Sequence, residues 1–224
     1  MVLVMAVTLG FEGQKSSLFL DKRAVYSVRM TTSNDAIKEK ILKAALPSVA
    51  FDGWTMDVLE NAAIDAGYKK EMVISVFPEG VKDALRYFSH WADNEMLRVL
   101  AKEETPQRIR DKIALAVKTR LRILTPYKEA ERLAIAYWVR PLRKFEGAKL
   151  VWKTADVIWT HAGDTATDYN RYTKRALLSG VITSTALYWL SDSSMGAKDS
   201  WAFLDRRIDN VLNIGKIVGR LKTA

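Results

Sequence analysis

NDAIKEKILKAALPSVAFDGWTMDVLENAAIDAGYKKEMVISVFPEG, residues 34–80, decides the fold: it holds three short apolar-faced runs with turn signals between them. Asn34 suits the N-cap of a helix whose apolar face is Ile37, Ile41, Ala44 and Ala45 and which ends near Pro47. Phe51, Gly53 and Trp54 make a turn, and Thr55 caps a second helix carrying Val58, Leu59, Ala62 and Ala63. Asp57 and Glu60 sit near that helix's positive end, and Gly67 occupies the C′ place. Lys69 and Lys70 lead into a short apolar helix, Met72 to Phe77, stopped by Pro78 and Gly80.

Outward from this stretch the apolar period stays helical. A long helix is predicted from about Val81, with Leu85, Phe88, Trp91, Ala92, Met96 and Val99 on one side. Pro106 opens another, in which Ile109, Ile113, Val117, Leu121 and Leu124 recur while Arg108, Arg110, Lys118, Arg120 and Arg122 form a basic face. Ala130 to Val139, Leu150 to Trp159, Tyr169 to Trp189 and Trp201 to Leu221 supply four more. The fold class is all-α with eight or nine helices and no internal repeat. Residues 1–33 read as a disordered or processed tail, with Met30 an alternative start and weak organelle targeting a second reading. Residues 34–80 form the three-helix unit, 81–213 the larger helical region of the same domain, and 214–224 a basic amphipathic end.

Composition narrows the chemistry. The 224 residues include no Cys, which excludes a disulfide framework, a thiolate nucleophile and Cys-held zinc or iron–sulfur clusters. The net charge of +9 favours an anionic partner: phosphate backbone, acidic headgroups or an acidic protein face. The longest uncharged run, Ala176 to Ser191, is too short and too rich in Ser and Thr to span a bilayer, so membrane contact is expected to be peripheral. No Gly-rich phosphate loop, dinucleotide fingerprint, Ser-nucleophile motif or repeated Glu-x-x-His set is present. His161, Asp164 and Asp168 admit a metal-site reading, but an Asp after Gly at a helix start is read as a cap.

The order of two short helices, a turn, a third short helix, a Phe-Pro step and a long helix resembles the N-terminal module of TetR-family regulators. The matching residues are Ile41, Leu42, Ala44, Ala45, Gly53, Trp54, Thr55, Ala62, Ala63, Ala66, Gly67, Phe77 and Pro78. That resemblance implies a TetR-like fold and, as the alternative function, a ligand-responsive DNA-binding regulator. A DNA reader presents polar side chains to base edges, whereas EMVISVF (71–77) is mostly aliphatic and only Lys69 and Lys70 suit phosphate. Nucleic acid is therefore not the expected partner.

A longer signal lies in the back half: ADVIWTHAGDTATDYNRYTKRALL (155–178), with TRLRILTPY (119–127) and WAFLDRRI (201–208). Together these resemble the ninth-numbered Coq family of coenzyme Q biosynthesis, over about Ile37 to Asn213. The resemblance implies a homodimeric, non-enzymatic accessory protein that holds lipid, an isoprenoid quinone or a phospholipid, and presents demethoxyubiquinone to its hydroxylase. It implies the matrix side of the inner mitochondrial membrane in a eukaryote, or the cytoplasmic side of the inner membrane in a bacterium. The family's partner surface carries over to Ile158, Trp159, Asp164, Asp168, Arg171 and Tyr172. Arg171 stands where some relatives have an aromatic, so contact there is expected to involve a charge pair.

A polyprenyl quinone needs an apolar cavity with a few polar groups. Leu85, Phe88, Met96, Leu121, Leu124, Tyr137, Trp138, Val181, Ile182 and Tyr188 are candidates to line one, the other reading being a filled core. Val211, Leu212, Ile214, Ile217, Val218 and Leu221 with Lys216, Arg220 and Lys222 read either as a membrane-surface segment or as a packed terminal helix.

Overall fold

A computed structural model describes residues 33–165 and 169–221 of the chain, the backbone alone at Ser33, Tyr169 and residues 212–221. Residues 1–32 of the predicted tail therefore lie outside the described residues, whereas Ser33 already belongs to α1; of the C-terminal amphipathic segment only the Val211 side chain is described, partly buried against the core. Among the described residues there are nine α-helices and no strand: α1 Ser33–Asp52, α2 Met56–Asp65, α3 Met72–Val76, α4 Val81–Leu100, α5 Ile109–Leu124, α6 Lys128–Trp138, α7 Lys144–His161, α8 Tyr169–Ser191 and α9 Lys198–Leu221.

α1 starts at Ser33, so the expected cap Asn34 lies inside it; otherwise the first three helices follow their local chemistry, with one exception. The Thr55 hydroxyl accepts from the Val58 amide and starts α2 as predicted. Gly67, at φ 84°, ends it: the Tyr68 amide returns to the Ala63 carbonyl at 2.8 Å and the Gly67 amide to that of Ile64 at 2.9 Å. The exception is Pro47, which was expected to end α1 and instead lies inside it. Interior proline costs a helix roughly 3 kcal/mol. Leu46 and Val49 on either side are fully buried, each worth roughly 1.5–3 kcal/mol. The core keeps the helix running to Asp52.

Two further boundaries differ. α5 begins at Ile109 rather than Pro106, after an extended Arg108. α7 begins at Lys144, six residues before the predicted Leu150. Its first turn is held from outside, because Glu146 pairs with Arg86 (2.7 Å) and Lys82 (2.9 Å) of α4. Gly147 lies so close to Trp138 that an added Cβ would stand 2.8 Å from the Trp138 Cβ.

One contiguous core runs from Ile41 to Ile208. α1 packs on α2, α4 on α5 and α7, and α8 on both α7 and α9. The three-helix unit is tied to the rest by Trp54, whose indole donates to the Ala130 carbonyl at 3.0 Å and packs against Phe88. In α3, Val73 and Val76 are buried and Ile74 is 62% exposed.

Candidate functional site

Between α4, α6, α7 and α8 lies a cavity of about 690 Å³, within the range of small-molecule sites. Leu85 and Phe88 of α4, Ile135 and Trp138 of α6, and Leu150, Val151 and Trp152 of α7 form much of its wall, with Ile182 and Leu187 of α8 opposite. Ala176, Gly180 and Thr183, also in the lining, are exposed, as is Leu187, so the cavity opens along α8. Small residues keep this wall thin: a Cβ on Gly180 would meet no heavy atom within 4 Å.

Four of the ten predicted lining residues reach this cavity: Leu85, Phe88, Trp138 and Ile182. Met96, Leu121, Leu124 and Val181 are buried in the core instead. Tyr137 packs edge-on to Trp138, under the Arg143 guanidinium, and Tyr188 stacks on Phe203.

One end of the otherwise apolar cavity is polar. Arg120, Glu131, Ser89 and Thr154 line it, and buried Asp93 stands behind them. Arg120 Nε donates to Asp93 at 2.8 Å and its Nη2 to the Ser89 hydroxyl at 3.2 Å. The Thr154 hydroxyl donates to Asp93 at 3.0 Å. Burial by itself would weaken the guanidinium's hold on its proton, yet Asp93 and then Glu131 raise it above its ordinary value. Glu131, 3.8 Å from Arg120, has its pKa raised from the ordinary value because desolvation outweighs the attraction of the guanidinium. The pole thus offers N–H donors and a largely buried carboxyl.

Arg120 had been assigned to the basic face of its helix. It sits instead on the buried stripe with Ile113, Ala116, Val117, Leu121 and Leu124, and that three-and-four spacing was the signal available. Arg122 does face outward, over the Trp201 ring.

The predicted partner surface divides. Ile158 is fully buried and supports the surface from beneath. Trp159 is half-buried, its indole donating to the Lys174 carbonyl at 3.0 Å. Asp168 lies outside the described residues. Asp164 follows Gly163, whose φ of 95° ends α7, and its side chain is 4% exposed. Its carboxylate accepts from Lys174 at 2.7 Å and from Arg175 at 2.9 Å. Arg175, which sequence reasoning left unassigned, also binds Asp156. Burial opposes its charge and these two carboxylates restore it, raising its pKa.

Arg171 and Tyr172 remain on the outside. Arg171 reaches Asp156 at 3.3 Å, so its charge already has a partner within the chain. Tyr172 is 61% exposed and leans on Trp152, their rings 6.4 Å apart. Trp152 lines the cavity, so this surface adjoins the cavity wall. Among the described residues no group of three or more His, Asp or Glu side chains is placed to hold a metal. Among the described residues no helix is long and apolar enough to cross a membrane.

The COQ9 family model matches residues 145–215, which include α8 and all of α7 but its first residue. The chain is 32% identical over 203 residues to the mitochondrial ubiquinone biosynthesis protein COQ9 of Rattus norvegicus, an alignment covering 85% of this chain and 64% of that one. It is 30% identical to the Homo sapiens protein, covering 85% and 62%, and 32% identical to that of Drosophila melanogaster, covering 80% and 56%. The chain thus spans less than two thirds of the length of these relatives. Among solved structures, a TetR transcriptional regulator from Nitrosomonas europaea superposes with a TM-score of 0.64, covering 80% of this chain and 99% of that one. At 15% identity that likeness speaks for the fold alone. By the family model over residues 145–215 and by these sequence relatives, the chain is similar to the COQ9 family.

Proposed function

We propose that the chain is a non-enzymatic accessory protein of ubiquinone biosynthesis that binds an isoprenoid quinone intermediate in the α4–α8 cavity and presents it to the demethoxyubiquinone hydroxylase. The observation that carries this reading is the apolar cavity with its one polar pole, Arg120 and Glu131, which suits a hydrophobic tail joined to an oxygen-bearing ring. The names of the relatives supply the pathway. Tyr172, set against the cavity-lining Trp152, supports a partner that takes lipid directly from the wall. The reading includes a homodimer at the membrane surface, in mitochondria as the relatives' names indicate or at the inner membrane of a bacterium. The regulator alternative draws on the TetR likeness, but Ile74 and Ser75 are the exposed residues of α3 and neither supplies a cation for phosphate.

The test is mass spectrometry of organic extracts from protein purified without detergent. An isoprenoid quinone is expected from the native chain and its loss from Gly180→Trp, whose indole would fill the open side of the cavity. Equal extracts from both, or none from the native chain, overturn the lipid site.

A further inference from the structure

Between Trp138 and Gly147 the chain turns from α6 into α7, and three large apolar side chains stand out from this turn: Leu142 is 98% exposed, Phe145 71% and Val139 66%. Cations surround them. From Arg132 to Phe145 there is no carboxylate, and Arg140, Arg143 and Lys144 lie within the turn. The next acidic residue, Glu146, is held by Lys82 and Arg86.

The turn is pinned on both sides. The Lys144 and Gly147 amides donate to the Arg140 and Arg143 carbonyls at 3.0 and 3.1 Å. Arg143 lies 3.9 Å from the centre of the Tyr137 ring. Gly147 sits flush against Trp138. Leu142 and Phe145 are therefore held out in water by a braced scaffold, at a cost in exposed apolar area that contact with an apolar phase would remove. The turn also adjoins the cavity: Val139, Lys144 and Ala148 are exposed and line it.

We propose that the turn spanning residues 139–145 is a membrane foot, which inserts Leu142 and Phe145 among the acyl chains of an anionic bilayer and brings the cavity rim to the headgroups. Charge complementarity selects the partner. Basic side chains flanking a small apolar tip suit a negatively charged leaflet, where each Lys or Arg near the surface adds attraction that salt screens. An acidic protein face would match the cations but offer no reason for the apolar tip to border a lipid-sized cavity. The foot rests on the lipid-site reading for its purpose and on its own geometry for membrane binding.

The chain has no cysteine, so Leu142→Cys carries a single thiol to which an environment-sensitive dye can be attached. The dye is expected to shift to the blue on vesicles of phosphatidylcholine with phosphatidylglycerol, and less on phosphatidylcholine alone. In sedimentation with the same anionic vesicles, Leu142→Glu/Phe145→Glu is expected to bind roughly tenfold or more weakly than the native chain. Its circular dichroism and extracted lipid should be unchanged. No dye shift, or full vesicle binding by the double variant, overturns the foot and moves membrane contact elsewhere. A shift from dimer to monomer in the double variant without loss of vesicle binding assigns the turn to a second copy and likewise overturns it. An empty native extract with vesicle binding still lost in the variant sinks the lipid site and leaves the foot standing.

Discussion

At the scale of single residues, buried charge decides most. Asp93 satisfies Arg120 and Thr154 at once, so Asp93→Ala leaves the buried guanidinium with only the more distant Glu131 as counter-charge and is expected to cost roughly 3–5 kcal/mol in urea unfolding. Glu131→Gln, which keeps shape and removes only a charge that Arg120 holds weakly at 3.8 Å, is expected to cost less in the same measurement. Asp192 illustrates the opposite direction of shift. It accepts hydrogen bonds from Ser200 first and Ser194 second, which hold its carboxyl well below the ordinary 3.8. A depressed carboxyl contributes fully above that ordinary value and loses the contribution as pH falls toward its folded value. Asp192→Asn is therefore expected to lower the melting temperature at neutral pH and to flatten its fall below pH 3.8.

Helices answer to their ends and their faces. α2 is the most locally determined, with its Thr55 cap and its Gly67 turn, and Thr55→Ala is expected to cost about 1 kcal/mol. α1 and α7 answer to tertiary contacts instead, one running through Pro47 because its far turn is buried, the other starting early because α4 pairs with Glu146. α8 serves two surfaces: its first turns carry Arg171 and Tyr172, and the next turns line the cavity through Ala176 and Gly180. Tyr172→Ala is expected to weaken capture of the hydroxylase in a pull-down while leaving thermal stability within about 0.5 kcal/mol, as suits a side chain 61% exposed. Unchanged capture removes α8 from the partner surface.

At the scale of the molecule, the TetR-like frame contains an interior cavity. A third helix facing water with Ile74 and Ser75 has little with which to read a base edge, whereas the larger helical region encloses a 690 Å³ cavity with a charged pole. The cavity, the α6–α7 turn and the start of α8 are neighbours, since Val139 and Lys144 of the turn line the cavity and Trp152 of its wall touches Tyr172. On the proposed lipid-site reading, uptake, holding and release share one continuous wall.

By itself the sequence determined that the chain is helical, where most helices lie and which family it resembles. Those features rest on local capping, on three-and-four apolar spacing and on the contiguous motif 155–178. Only the tertiary structure decided which inward-facing residues surround empty space. Met96 and Phe88 share one stripe of α4, yet Met96 meets filled core and Phe88 meets the cavity. Periodicity reports that a side chain turns inward, not whether the helix opposite is large enough to fill the gap. The same holds for charge: Arg120 and Asp93 are 27 residues apart, Arg175 and Asp156 19 apart, and whether such a cation is solvated or buried depends on the partner that folding brings to it.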